Sequence, residues 1–420
     1  MNKKYYKNIK RCRSCKSKRL TEVISIGPTN LPDYSGKMQN IKIPLDLLLC
    51  KNCKLLQLKQ TTNPHLLWND NYGYQSGMNK SMTEELKDIV KEIERTVKLK
   101  SGDIVLDIGC NDGTLLDFYK NKNIHRFGFD PSGNVLEIAK EKLKKYGTKN
   151  ITLTKDFFAK EIFFKRSKQK AKVITAIAMF YDLDDPNEFV KDVYDCLDEN
   201  GVFVIQQNYL LKMIENNAID NIVHEHLTYY SFTTLKKILD RHNLETFDIQ
   251  FNNVNGGGFR TFIRKKYSNI GNNRYKIKNL ENILKKEEEI TKTSSYKKFV
   301  ERTTKNLNKL KEFLERETKK GKKIYIYGAS TRGHTIISFL KLDNSLIGAT
   351  VDKNPFKWGK RISNTNIPII SEEQARKEKP DYFLALPWYF KNEFIEREKD
   401  FIKRGGKFIF PLPKMEIFPN

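Results

Sequence analysis

The stretch Val105–Tyr119, VLDIGCNDGTLLDFY, decides the fold, because an apolar run passes through a glycine turn directly into a helix-forming segment. That is the opening unit of a parallel α/β sheet. Asp107, Gly109 and Gly113 fall on the turn, where glycine supplies unusual dihedrals and lets a cofactor approach the backbone. The next strand, HRFGFD, ends in Asp130, about twenty residues on, where a carboxylate can accept from both ribose hydroxyls. An acid ahead of the first glycine repels a pyrophosphate and attracts the cationic end of S-adenosylmethionine. The D-x-G-x-x-x-G form therefore favours that methyl donor, with a dinucleotide site or a glycine turn that only packs as the alternatives. After the third strand, Asp156 and Phe157 offer an acid and an aromatic edge to adenine, or equally a helix cap beside a core residue.

Outward from this unit, EELKDIVKEIERTVKL precedes it as an amphipathic helix, and strands alternate with helices to about residue 250. A charged segment of interspersed Glu and Lys from about 273 to 320 has helical periodicity, consistent with one or two connecting helices with a solvated face. KKIYIYGASTRGHTIISFL then opens a second strand, glycine turn and helix. The expected architecture is an α/β multidomain chain. A small zinc module covers 1–65, a central Rossmann-like methyltransferase domain 66–270, a helical connector 271–320, and a C-terminal Rossmann-like α/β substrate-binding domain 321–420.

The zinc module rests on Cys12-x-x-Cys15 and Cys50-x-x-Cys53. Each pair presents two thiolates from a tight turn, and four sulfurs close a tetrahedral shell with no position open to water. Such a site is structural. Two disulfides or free thiols are the alternative, although a C-x-x-C pair bonded to itself is strained. Cys110 and Cys196 sit in apolar runs as core residues. The 420 residues carry 39% hydrophobic content, enough for a core in each domain. No apolar stretch is long enough to span a membrane and the first residues, MNKKYYKNIK, contain no apolar export segment, so a cytoplasmic protein is expected. The net charge of +26 comes from lysine scattered along the whole chain, without a basic block interleaved with aromatics, which argues against a nucleic-acid partner.

A second constellation, DNIVHEHLTYYSF, brings His224, Glu225 and His226 together in a chain with only six histidines. A metal reading needs a third ligand that the sequence does not offer. General base chemistry fits better, since a histidine held by a carboxylate can remove a proton near neutral pH; surface or packing residues are the bland alternative. FNNVNGGGFR places Asn255, Gly256, Gly257 and Arg260 around a glycine run suited to close approach of a ligand, or to a plain β-turn. In the last domain, Gly328, Ser330 and Gly333 form a turn opening a helix whose free N–H groups can hold phosphate, with Arg332 adding charge and Lys353 and Asn354 on the loop after the next strand.

The order of CxxC pairs, NYGYQSG, DIGCNDG, HEHLTYYS, NGGGFR, YGASTRG, VDKNPFKWG and GGKFIFPLP resembles the S-adenosylmethionine-dependent sugar methyltransferases that methylate carbon 3 of nucleotide-linked 4-keto hexoses. The resemblance covers nearly the whole chain. It implies a zinc-binding N-terminal domain, a middle domain for the methyl donor, and a nucleotide sugar held between the middle and C-terminal domains; a monomer is expected. It maps the general base onto His226 and the preceding acid onto Glu225, which is expected to orient the histidines, leaves His224 a structural or orienting role, and maps sugar-facing tyrosines onto Tyr72 and Tyr74. Val223 stands where many members of the family carry a further tyrosine. An O- or N-methyltransferase on a related nucleotide sugar, and a zinc-containing nucleic-acid methyltransferase or binding protein, are the other classes in view.

Overall fold

The computed structural model describes residues 4–33, 41–271 and 280–419; residues 272–279 of the expected connector lie outside it. Seven strands form the central sheet, in the order Leu244–Asn252, Gly258–Lys265, Leu197–Asn208, Ala171–Ile177, Ile104–Ile108, His125–Phe129, Ile151–Thr154. Gly258–Lys265 runs antiparallel to both neighbours, and the remaining ladders are parallel. Every residue of Ile104–Ile108 is buried, as expected of a parallel strand covered on both faces. The helix Lys80–Thr96 covers one face by burying Met82, Leu86, Ile89, Val90 and Ile93, a stripe at helical spacing. The chain leaves Ile104–Ile108 to one side and returns to its other side at Ala171–Ile177. These two strands flank the topological switch point, beyond whose C-terminal ends such sheets bind ligands.

A second α/β sheet follows the long helix Thr293–Lys319, in the order Ile369–Ile370, Ala349–Val351, Ile324–Tyr327, Tyr382–Ala385, Lys407–Phe410, Glu416–Phe418. Only the last strand is antiparallel. The charged segment before it forms two helices, Leu280–Glu289 and Thr293–Lys319. Glu287 departs from the expected solvated pattern. It is 2% exposed because its carboxylate accepts from the N–H groups of Phe232 and Thr233, at 2.7 and 2.8 Å, satisfying the free donors at the start of the helix Phe232–Arg241.

The N-terminal sheet contains Leu20–Asn30, Lys42–Cys50 and Leu56–Leu58, all antiparallel. Its fourth strand, Thr228–Tyr229, comes from the middle of the chain and pairs Thr228 with Gln57 and Tyr229 with Leu56. The cysteine-bearing segment is thereby built into the central domain. Among the described residues no helix is long and apolar enough to cross a membrane.

Candidate active site

Asp107, Gly109, Asp130, Asp156 and Phe157 line a cavity of about 170 Å³ at the switch point. Gly109 takes φ +75°, and a Cβ there would come within 3.1 Å of Met179. Asp107 accepts from Thr175 Oγ1 at 2.6 Å, yet burial pushes its carboxyl up to about 7. Asp130 is oriented by backbone donors, Oδ2 accepting from the Asn111 N–H at 3.0 Å and Oδ1 from the Ser132 N–H at 2.9 Å. Each carboxylate oxygen keeps a further lone pair for a ligand hydroxyl. Phe157 meets Trp68 and His65 edge to face, giving the cavity an aromatic corner. The structure places Gly113 elsewhere: at φ +72° it caps the short helix Thr114–Asp117, and its missing Cβ lets Ala139 pack closely.

The segment Asn69–Asn79 lies between this cavity and a second one, and loops from both sheets hold it. Asp70 Oδ1 accepts from the Gly133 N–H at 2.9 Å, Asn134 donates to Tyr72 O at 2.8 Å, and Asn111 donates to Tyr74 O at 3.1 Å. The N–H groups of Ser76 and Gly77 donate to Asn111 Oδ1 and Asp112 Oδ2, both at 2.9 Å. From the C-terminal sheet, Asn354 donates to Gly73 O at 3.1 Å. Tyr72 and Tyr74 are thus fixed facing both cavities. Burial raises the Tyr72 hydroxyl well above its ordinary value and the Tyr74 hydroxyl to about 12, so both stay protonated donors.

The second cavity, about 320 Å³, shares Tyr72, Tyr74, Met82, Ala178 and Asp182 with the first. Ala178 sits at φ +54°, a left-handed conformation that costs a residue with a Cβ about 1–2 kcal/mol, and backbone strain of this kind gathers at functional sites. His226 and Glu225 line this cavity. His226 Nδ1 lies 2.9 Å from Asn221 O. A carbonyl cannot donate, so Nδ1 carries the hydrogen and Nε2 is left as the basic nitrogen. Burial, with the Arg332 charge adding to it, lowers the imidazole to about 3, which keeps the ring neutral. Burial pushes Glu225 up to about 7. Among the described residues no hydrogen bond joins Glu225 to either histidine, and the orienting role expected of it falls to Asn221 O.

His224 does not reach the cavity. Its Nε2 lies 3.2 Å from Ile43 O and 3.1 Å from Thr29 Oγ1, against the N-terminal sheet, and burial lowers it to about 4. The carbonyl again makes the ring nitrogen the donor, so His224 serves as a tie between two parts of the fold.

From the C-terminal part, Asn255, Gly328, Ser330, Arg332, Lys353 and Asn354 line the larger cavity. Ser330 Oγ accepts from the Gly333 N–H at 3.0 Å and caps the helix Thr331–Leu340. Arg332 pairs with buried Asp220 at 2.6 Å and donates to Asn255 O at 2.6 Å. Four other expected contacts are packing instead. A Cβ on Gly256 would meet Trp388 at 2.8 Å, one on Gly257 would meet Lys212 at 2.6 Å, and one on Gly333 would meet Leu386 at 3.0 Å. Arg260 is 2% exposed and donates to Gln206, Glu85 and Asp88, clamping the helix Lys80–Thr96 to the sheet.

Cys12, Cys15, Cys50 and Cys53 bring four sulfurs within 4.8 Å of one another, with Cys12–Cys53 at 3.5 Å and Cys15–Cys50 at 3.6 Å. Tetrahedral zinc with Zn–S bonds of about 2.3 Å holds sulfurs about 3.8 Å apart, so the four thiols fit that ion. Gln57 donates to Cys12 Sγ at 3.2 Å and Asn52 to Cys15 Sγ at 3.6 Å, outer donors of the kind that steady thiolates around a metal.

Tyr181 and Asp182 were not singled out by the sequence. They follow the strand Ala171–Ile177 at the switch point, and that position is the signal that would have found them. The Tyr181 ring lies 4.3 Å from that of His226. Burial raises the Asp182 carboxyl well above the usual range, and its Oδ1 has no partner among the described residues. Tyr389, Arg397 and Glu372 also line the larger cavity.

Three family profiles match the chain in succession: a zinc binding domain over residues 12–68, a methyltransferase domain over 78–248, and a C-methyltransferase C-terminal domain over 253–413. The C-methyltransferase NovU of Streptomyces niveus is 27% identical over 419 residues, covering 97% of each chain. Carboxy-S-adenosyl-L-methionine synthase of Nautilia profundicola is 26% identical over 136 residues, 32% of this chain and 54% of that relative. Among solved structures, an S-adenosylmethionine-dependent methyltransferase from Clostridium acetobutylicum aligns over 44% of this chain and 92% of its own, at 17% identity and a TM-score of 0.35.

Proposed function

We propose that this chain, which belongs to the S-adenosylmethionine-dependent C-methyltransferases, methylates carbon 3 of a nucleotide-linked 4-keto hexose, as a cytoplasmic monomer, with His226 as general base. The observation that carries the reading is the Nδ1–H of His226, donated to Asn221 O, which leaves Nε2 as the basic nitrogen of a ring that lines the larger cavity. A saturated carbon that bears hydrogen becomes a nucleophile only after losing a proton, and carbon 3 of a hexose is acidic enough only beside a carbonyl. A 4-keto group supplies that carbonyl, and a neutral imidazole supplies the base.

Asp107, Asp130, Asp156 and Phe157 are the residues suited to hold the donor in the smaller cavity, where it supplies a methyl group on cationic sulfur. The sugar fits the larger cavity, where His226 Nε2 removes the carbon 3 proton. Tyr72 and Tyr74, held as protonated phenols between the cavities, are placed to donate to the enolate oxygen that forms. Arg332, Lys353, Lys357 and Arg397 line the part of the cavity bounded by the C-terminal sheet; Arg332, Lys357 and Arg397 are paired with Asp220, Asp352 and Glu372, which leaves Lys353 as the cation we assign to a diphosphate. Glu225 provides a second ionisable group in the same cavity.

Mass analysis of products from a panel of nucleotide-linked 4-keto sugars, with the methylated position located by NMR, tests the reading. A methyl group on carbon 3 is expected. A methyl group on oxygen or nitrogen would replace it with the O- or N-methyltransferase reading.

A further inference from the structure

The cysteine-bearing segment is connected to the residues around His226 more closely than a folding module needs. Leu227, the residue after His226, accepts from the Leu58 N–H at 2.9 Å, and the next two residues complete the N-terminal sheet. Arg13, inside the first cysteine pair and 3% exposed, lies across this junction. Its Nη1 donates to Leu58 O and, at 3.5 Å, to Leu227 O; its Nε donates to Asp184 Oδ1 at 3.1 Å and its Nη2 to Thr61 Oγ1 at 2.7 Å. Asp184 belongs to the loop that carries Tyr181, whose ring packs on His226. Arg13 is itself held by the metal knuckle, because its N–H donates to Gln57 Oε1 at 2.9 Å while Gln57 Nε2 donates to Cys12 Sγ at 3.2 Å.

We propose that Arg13 is a positioning residue for the reaction, fixing the His226 main chain through Leu227 and the Tyr181 loop through Asp184. The inference rests on the reading of His226 as the base. A guanidinium is a planar fork, so one side chain holds three segments in a single arrangement, and lysine cannot reproduce it. Burial adds weight, since each N–H deprived of its acceptor is left without water. The sequence gives no hint of this, because Arg13 and Asp184 stand 171 positions apart.

Arg13→Lys in the full chain tests the proposal, with Asp184→Ala as a second variant that removes the acceptor of the same contact from the other side. Zinc content and donor affinity should match the wild type, with KM for the sugar shifted less than about threefold, while kcat and exchange of the carbon 3 proton with solvent fall together by about 10- to 100-fold. The imidazole ¹⁵N signals of His226, assigned by their loss in His226→Asn, should shift in both variants. Wild-type signals and exchange in a zinc-replete Arg13→Lys protein would overturn the proposal, as would a loss confined to donor affinity. If the wild type itself exchanges no carbon 3 proton, the assignment of the base fails instead, and the imidazole signals still decide whether Arg13 places the ring.

Discussion

His226 Nδ1 donates to the carbonyl of Asn221 across 2.9 Å, and this one hydrogen bond fixes which ring nitrogen is basic. The acceptor lies on the turn Ile219–Asn221, whose Asp220 pairs with Arg332 of the helix Thr331–Leu340 at 2.6 Å. The tautomer of the proposed base is therefore tied to the element that lines the cavity from the other side.

The four-sulfur shell predicts one Zn²⁺ per chain, read by elemental analysis. Cys12→Ser should lower metal content and stability together, because a shell missing one thiolate no longer closes. Native protein without zinc would contradict this.

Asp130→Ala should weaken S-adenosylmethionine binding by about 1.5–3 kcal/mol, the contribution of a hydrogen bond to a charged group, with sugar affinity little changed. Calorimetry showing unchanged donor affinity would remove Asp130 from the ribose position.

Gly113→Ala should lower stability through its φ of +72° and the 3.1 Å approach to Ala139, while leaving donor affinity close to wild type. Thermal melting and calorimetry separate the two effects; a loss of donor affinity without a loss of stability would return Gly113 to the cofactor site.

His224→Asn should cost about 1–3 kcal/mol in stability through the buried carbonyl left without its donor, yet change kcat little. Burial lowers the folded His224 to about 4 from an ordinary 6.5. The unfolded chain therefore binds this proton first, and the stabilisation present above pH 6.5 is lost as pH falls toward 4. The variant should show a shallower decline of melting temperature across that window. An unchanged slope would mean His224 is not held neutral.

The two α/β units, the four-sulfur cluster and much of the lining of the smaller cavity were legible in the sequence because their determinants are local. Asp107 and Gly109 share one turn, Asp130 ends the neighbouring strand, and each cysteine pair is a short loop. The different placements of His224 and His226 were foreshadowed only by the family resemblance and not by the residues themselves, since they depend on Ile43 O, 181 positions away, meeting one ring and Asn221 O meeting the other. Arg260 and the Gly256–Gly257 pair suggested ligand contact, but whether an arginine faces a cavity or clamps a helix is settled by packing against Glu85 and Asp88. Tyr181 and Asp182 escaped notice because no motif marks them, only their place at the end of a switch-point strand.

Exchange of the carbon 3 proton of a nucleotide-linked 4-keto hexose with deuterated solvent, followed in wild type and in His226→Asn, tests the central claim most directly. The account predicts exchange in the wild type and a fall of about 10²–10⁴ in the variant, with methyl transfer lost in step and both ligands still bound. Exchange and methylation at the wild-type rate in His226→Asn would contradict it and move the base to another group lining the cavity, Glu225 or Asp182 first.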